Sequence, residues 1–160
     1  MNSRVGIGYD VHQLQNGERL IIGGVEIRSP KGTVGYSDGD VLYHAVADAL
    51  LGAAALGDLG EHFPSSDPEY KDIDSGVILK EIRSLLDIRG YTVGNIDSTV
   101  ILQSPKIAGY LKEMRRNMVH LLQVEEPGDV SVKVTSTDRM GFIGREEGIA
   151  ALAIAQLRND

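Results

Sequence analysis

Apolar residues recur at Val41, Leu42, Ala45, Ala49, Leu50 and Ala53. That spacing returns to one side every three or four residues and predicts a helix over residues 40–55. Asp40, His44 and Asp48 then stack at i, i+4 and i+8 on the opposite side. A second helix is predicted from Ser75, with Ile78, Leu79, Ile82, Leu85 and Leu86 turned inward and Gly90 as its stop. A third carries Ile107, Leu111, Met114, Met118 and Leu121, and Ser104-Pro105 reads as its N-cap and first-turn proline. Alternation at Val130, Val132 and Val134 predicts a strand, and further strands are expected over residues 3–11 and 91–102. Two apolar runs, Arg19–Ile22 and Val25–Arg28, flank Gly23-Gly24 and predict a hairpin. Residues 29–39 read as a loop and residues 56–74 as a long irregular segment of the kind that often carries function. Residues 144–158 read as a closing helix, with Glu146 and Glu147 in its first turn, where the helix dipole favours acids.

This order of elements predicts an α+β fold, a mixed sheet covered on one side by helices. No internal repeat or low-complexity linker interrupts the 160 residues, so 1–160 reads as a single compact domain. The 42% hydrophobic content is that of a globular protein, and no apolar run is long enough for a membrane span. The opening M-N-S-R-V-G lacks the layout of a signal peptide, so a soluble, cytoplasmic protein is expected. The chain has no cysteine, which suits a reducing compartment and excludes a thiolate zinc site. A net charge of -7 argues against non-specific nucleic-acid binding. An acidic chain that handles phosphates needs metal ions or helix N-termini to offset the like charge. Nineteen glycines point to many tight turns.

The candidate chemistry starts at Asp10 and His12, two apart in R-V-G-I-G-Y-D-V-H. Side chains at i and i+2 leave the same face of a strand. One carboxylate and one imidazole can then meet His44 from a nearby helix in a three-ligand divalent metal site. Three N/O donors with an open position suit a catalytic zinc, and also admit Mn²⁺ or Co²⁺. Asp38, Asp40 and Asp48 offer carboxylates to orient the imidazoles. His62 is a fourth-donor candidate on spacing but reads better as a loop histidine, and His120 receives no role. G-I-G-Y-D-V is not a dinucleotide fingerprint, because Val11 stands where the third glycine is required and Asp10 would repel a pyrophosphate. G-D-L-G (Gly57 to Gly60) suits backbone N–H groups facing an anion. Leu102-Gln103-Ser104-Pro105-Lys106-Ile107 sets a cation at a helix N-terminus, as for a phosphate or nucleotide contact. The run Thr135-Ser136-Thr137-Asp138 through Phe142 to Arg145 offers hydroxyl donors, a carboxylate for a hard cation such as Mg²⁺, and an arginine for phosphate.

Together these segments resemble the 2-C-methyl-D-erythritol 2,4-cyclodiphosphate synthase family of non-mevalonate isoprenoid biosynthesis. The resemblance spans essentially the whole chain. It rests on G-x-D-V-H (Gly8 to His12), I-I-G-G-V (Ile21 to Val25), S-D-G-D-V-x-x-H-A-x-x-D-A-L-L-G-A-A-A-L-G-D-L-G (Ser37 to Gly60), F-P-x-x-D-P (Phe63 to Pro68), Q-S-P-K (Gln103 to Lys106) and M-G-F-x-G-R-x-E-G-I-A (Met140 to Ala150). It implies a homotrimer with active sites between subunits. It also implies a substrate, 4-diphosphocytidyl-2-C-methyl-D-erythritol 2-phosphate, whose own 2-phosphate attacks the phosphorus distal to cytidine and expels CMP. By the same resemblance Asp10, His12 and His44 are zinc ligands, the first two also bordering the substrate. Ser37, Asp58, Leu59, Gly60 and the loop Phe63, Pro64, Ser65, Ser66, Asp67 match the methylerythritol-phosphate pocket. Leu102 to Ile107 and Thr135 to Asp138 match cytidine and diphosphate contacts, Phe142 and Arg145 further substrate contacts, and Asp138 lies near magnesium.

Four positions depart from the family pattern. Tyr36 stands where a histidine that stabilises the transition state is usual, and a phenol donates a hydrogen bond but stays neutral near pH 7. Thr135-Ser136-Thr137-Asp138 replaces T-T-T-E, so Ser136 keeps the catalytic hydroxyl while Asp138 is one methylene short and reaches magnesium through water. Ser65 replaces a frequent aspartate. Two other functions share the pocket chemistry. A metal-dependent phosphohydrolase would need a general base to activate water, and none is evident beyond the ligand set. A non-catalytic cytidine-nucleotide binding module would not need three metal ligands.

Overall fold

The computed structural model describes residues 2–159. β1 (Asn2–Asn16) leads into the hairpin of β2 (Leu20–Ile22) and β3 (Val25–Ile27), with Ile22 opposite Val25 around the expected Gly-Gly turn. The segment 29–39 is not all loop: β4 (Lys31–Val34) returns antiparallel to β1. α1 (Val41–Ala54) follows, capped by the Asp40 carboxylate, which accepts from Tyr43 N. The Asp40–His44 side of α1 is not solvated, because the helix is buried almost all round. The irregular segment after it holds two short helical turns, α2 (Leu59–His62) and a 3-10 turn (Pro68–Tyr70). α3 (Ser75–Ile88) starts at an Asp74 cap and stops before Gly90, whose φ of 73° suits a glycine.

β5 (Thr92–Ile101) leads to α4 (Leu111–Leu122), then β6 (Val130–Thr135), a single turn α5 (Gly141–Gly144) and β7 (Gly148–Asn159). Two expectations fail here. Ser104-Pro105 does not open a helix: residues 103–107 stay irregular, and α4 begins only at Leu111. Residues 144–158 are not a helix. β7 is the middle strand of the sheet, ordered β4-β1-β7-β5-β6 and mixed because β5 and β6 run parallel. Ala151, Ala153, Ala155 and Leu157 point into the core while Leu152 and Ile154 point out, so the true period is two. Both faces are apolar, which hides that period in the sequence. β7 bonds to β1 on one edge and β5 on the other, and the two ladders override alanine's helix preference. Glu146 and Glu147 therefore sit in the turn before β7.

The helices cover one face of the sheet. β1 turns its even residues inward, and Gly6 and Gly8 let α1 lie directly on the strand. A β-carbon on Gly6 would stand 2.1 Å from Ala49 O, and one on Gly8 1.8 Å from Ala45 O. The other face is bare, and apolar along β1 and the middle of β7: Val5, Ile7, Tyr9, Val11, Leu152 and Ile154 are all exposed. Ile7 lies opposite Ile154 and Tyr9 opposite Leu152. Among the described residues no helix is long and apolar enough to cross a membrane.

Candidate functional site

Because Gly8, Asp10 and His12 share the inward face of β1, the close seat of α1 carries His44 onto the two donors. Asp10 Oδ2 lies 2.8 Å from His12 Nε2 and 3.2 Å from His44 Nδ1, and the two nitrogens are 3.2 Å apart. An ion about 2.0–2.1 Å from each of three tetrahedral ligands spreads them to about 3.3 Å. The trio needs to open by only a few tenths of an ångström to hold one.

The remote ring nitrogens are engaged elsewhere. His12 Nδ1 lies 3.1 Å from Val34 O, which can only accept, so Nδ1 carries a proton there. His44 Nε2 lies 2.9 Å from Ser75 Oγ and 3.1 Å from Ser37 Oγ. The electrostatics suit a cation. Burial raises the Asp10 carboxyl, but the hydrogen bond and charge of His12, with the His44 ring beside them, outweigh it and hold it at about 2. Burial would lower His12, yet the Asp10 hydrogen bond and charge leave it raised.

The acids read as orienting the imidazoles have other work. Asp40 is fully buried and receives Gly23 N at 2.9 Å, Gly24 N at 2.7 Å and Tyr43 N at 3.1 Å, which ties the hairpin to the start of α1. Burial pushes its carboxyl up to about 6, with the three N–H donors opposing. Asp48 receives Leu59 N at 2.7 Å. Only Asp38 reaches an imidazole partner, and then through Ser75. His62 is outside the trio, with Nε2 2.7 Å from Leu56 O.

A cavity of about 140 Å³ opens beside His12 and His44, lined also by Tyr36, Ser37, Leu59, Phe63 and Ser65. The Tyr36 hydroxyl donates to Asp67 O at 3.0 Å and pins the Phe63–Asp67 loop, and Phe63 packs edge-on against Tyr70. Asp67 caps the turn after that loop by accepting from Glu69 N, and Pro64 and Ser66 complete it. Two details correct the sequence reading. The Leu59 N–H is already given to Asp48 and is not spare for an anion, and the Asp58 carboxylate accepts from Glu61 N as the cap of α2. Gly60 follows Leu59 in that turn and is exposed.

A second cavity of about 160 Å³ gathers Leu102, Pro105, Lys106, Ile107, Thr135 and Ser136. Lys106 lies in its irregular wall, one residue before Ile107, the N-cap of a 3-10 turn (Ala108–Tyr110) that runs into α4. Gln103 Oε1 receives Arg139 N at 2.9 Å, and Ser104 is exposed. The Thr137 hydroxyl donates to Met140 O at 2.7 Å, which folds back a loop whose Asp138 is exposed, with φ of 51°. Phe142 packs where a β-carbon on Gly148 would go, near His12 O. Arg145 pairs with Glu147 at 2.9 Å on the surface. The two cavities share no lining residue. Both lie at the Val11–Ala150–Ile101–Thr135 end of the sheet, but β1 and β6 are three strand spacings apart, about 14 Å.

Sequence reasoning missed Ser75, wholly buried behind His44, and Tyr70, Ile73 and Ile78 in the first cavity. A serine after an aspartate at a helix start looks like ordinary capping, so no local signal marked it.

Comparison with known proteins shows the family and agrees with the fold. The YgbB family model matches residues 3–158. A 2-C-methyl-D-erythritol 2,4-cyclodiphosphate synthase from Syntrophomonas wolfei is 55% identical over 151 residues, covering 94% of this chain and 96% of the relative. One from Chlorobium phaeovibrioides is 54% identical with the same coverage. Among solved structures, the bifunctional IspDF of Campylobacter jejuni superposes with a TM-score of 0.94 at 38% identity over 99% of this chain, which spans 43% of that longer protein. The CDP complex of Plasmodium falciparum IspF matches with a TM-score of 0.87 at 31% identity, covering 99% and 97% of the two chains. The chain belongs to the YgbB family and is one of the 2-C-methyl-D-erythritol 2,4-cyclodiphosphate synthases.

Proposed function

We propose that this enzyme closes 4-diphosphocytidyl-2-C-methyl-D-erythritol 2-phosphate into 2-C-methyl-D-erythritol 2,4-cyclodiphosphate and CMP. An oxygen of the 2-phosphate forms a bond to the phosphorus distal to cytidine, and the bond from that phosphorus to the CMP oxygen breaks. The substrate carries its own nucleophile, so the protein's task is positioning and charge neutralisation. The observation that carries the reading is the convergence of Asp10 Oδ2, His12 Nε2 and His44 Nδ1 beside the cavity lined by His12, Ser37, His44, Leu59 and Phe63.

Asp10, His12 and His44 would hold Zn²⁺ or another divalent transition metal, which supplies Lewis-acid neutralisation and a template for phosphate oxygens. Asp138 is the carboxylate available for Mg²⁺, through water; an exposed acid beside hydroxyls and substrate phosphates is the donor set that ion uses. In this reading Leu59 and Phe63 wall the polyol, Ser37 and Ser65 face its phosphate, and Tyr36 holds the loop in place. Leu102, Pro105 and Ile107 would flank cytosine. Lys106, Arg145 and the hydroxyls of Thr135, Ser136 and Thr137 would meet the diphosphate, with the Ser136 hydroxyl taking the catalytic contact. Keeping water out matters as much as binding, because water would divert the reaction to hydrolysis. The CDP held by the Plasmodium falciparum relative supports a cytidine nucleotide as ligand.

We propose a cytoplasmic homotrimer, and the split between the two cavities supports a complete site that takes its polyol half from one subunit and its cytidine half from the next. The bare apolar face of the sheet offers the contact surface. Incubation with the diphosphocytidyl substrate, followed by mass spectrometry, tests the reaction. Cyclic diphosphate with CMP is the expected result. Inorganic phosphate would indicate a phosphohydrolase instead, and unchanged substrate a binding module.

A further inference from the structure

We infer that Ser75 and Asp38 are positioning residues that fix which nitrogen of His44 carries its proton, so that Nδ1 is presented as a lone pair before any ion arrives. The inference rests on reading Asp10, His12 and His44 as a metal site.

The argument is one of donors and acceptors. The Asp38 carboxylate accepts three hydrogen bonds: Asp40 N at 3.1 Å and the Ser75 hydroxyl at 2.5 Å on Oδ1, and Ser75 N at 3.0 Å on Oδ2. A carboxylate can only accept, and a serine hydroxyl has a single proton. That proton is committed to Asp38 by a short, charge-assisted bond. Ser75 Oγ can then show His44 Nε2, 2.9 Å away, nothing but a lone pair, so Nε2 must be the donor. A neutral imidazole with its proton on Nε2 has its lone pair on Nδ1, the nitrogen that faces Asp10 and His12. Reversing Ser75 would place the proton on Nδ1, where it would occupy the ion's position.

Burial makes the arrangement hard to escape. Ser75 is completely buried and His44 is 8% exposed, so solvent offers little substitute for either partner. Asp38 is held in turn, since its own N–H donates to Ile73 O at 3.1 Å. Ser37 Oγ also approaches His44 Nε2, at 3.1 Å, but it is half-buried at the cavity wall and its proton is not tied to a carboxylate. Ser37 can accept from Nε2 equally well as donate to it, so it does not choose between the two forms. On the other imidazole Val34 O makes the same choice by itself, because a carbonyl has no proton to give. The two histidines reach one result by different routes, a backbone acceptor for His12 and a Ser–Asp pair for His44.

Two readouts test this, and neither is turnover. Two-bond proton–nitrogen correlation spectra of the metal-free protein are expected to show the neutral form of His44 protonated at Nε2. Zn²⁺ affinity, measured by competition with a coloured chelator, is expected to fall about 10- to 100-fold in Ser75→Ala. Asp38→Asn is expected to fall similarly, because an amide can donate to Ser75 and let it turn. Ser75→Thr retains the hydroxyl and is expected to keep both the affinity and the Nε2 proton. His44 protonated at Nδ1 in the unsubstituted protein would overturn the inference without any variant having to fold. So would a folded Ser75→Ala protein with unchanged affinity and tautomer. Undiminished Zn²⁺ binding by His44→Ala is a separate result that would sink the metal site itself.

Discussion

Gly8 lies against the residue that follows His44: a β-carbon placed on it would stand 1.8 Å from the carbonyl oxygen of Ala45. The atoms that would have to move are helix backbone, not a pliable side chain. Gly8→Ala is therefore expected to lift α1 from β1, cost about 3 kcal/mol of stability and part His44 from Asp10 and His12. Thermal unfolding and Zn²⁺ titration check both effects. An alanine variant as stable and as tight for metal as the parent would show that α1 has more freedom than this packing allows.

His44→Ala removes one of three ligands and leaves two, too few for a tight divalent site. Metal content after dialysis is expected to fall from about one ion per chain to a small fraction of that, and turnover with it. Elemental analysis beside the product assay reads both. Full activity in metal-depleted His44→Ala protein would exclude the metal from the chemistry.

The metal-free protein should show a pH dependence set by the Asp10–His12 pair. The Asp10 carboxyl is lowered from 3.8 to about 2, so its contribution is complete above the unfolded value and is lost as pH falls through about 2. His12 is raised above 6.5, so its contribution is complete below that value and is lost as pH rises through the higher folded one. The two shifts describe one ion pair and count once, about 2 kcal/mol. The Tm of chelator-treated protein is expected to decline toward strong acid and again as pH rises through the raised His12 value. Added Zn²⁺ should reverse the alkaline decline, because an ion replaces the proton and prefers neutral imidazoles. A Tm that does not change across the alkaline side in metal-free protein would contradict the pairing.

Ile7 and Ile154 face each other on the bare side of the sheet, 69% and 47% exposed. Ile154→Glu would set a charge in the proposed subunit contact. It is expected to give a monomer in analytical ultracentrifugation, with turnover lost and Zn²⁺ binding kept, since all three metal ligands come from one chain. A trimer that persists with full activity would move the contact elsewhere.

Much of the site was legible because it was written in short spacings. Asp10 and His12 share a face by the two-residue period of a strand, and the helical stripe of Val41 to Ala53 set His44 on a nearby helix. The glycines at positions 6 and 8 continue the same period and mark the inward face. Other errors came from ambiguous periods. Ala150 to Leu157 is apolar on both faces, so helix and middle strand look alike until the partners β1 and β5 are known. Ser104-Pro105 carries the composition of a helix start, yet α4 waits until Leu111.

The sequence by itself determined the donor types and their local geometry: an acid and an imidazole two apart on a strand, a second imidazole on the following helix, and no thiol to compete. Local dihedral preferences and side-chain periods carry that information. Only the tertiary structure decided that Asp40 and Asp48 serve the backbone rather than the histidines, that Ser75 stands behind His44, and that the two binding cavities lie apart in one chain. Those facts depend on which distant segments meet, and hydrogen bonds across 31 residues, such as that between His44 and Ser75, leave no trace in either period.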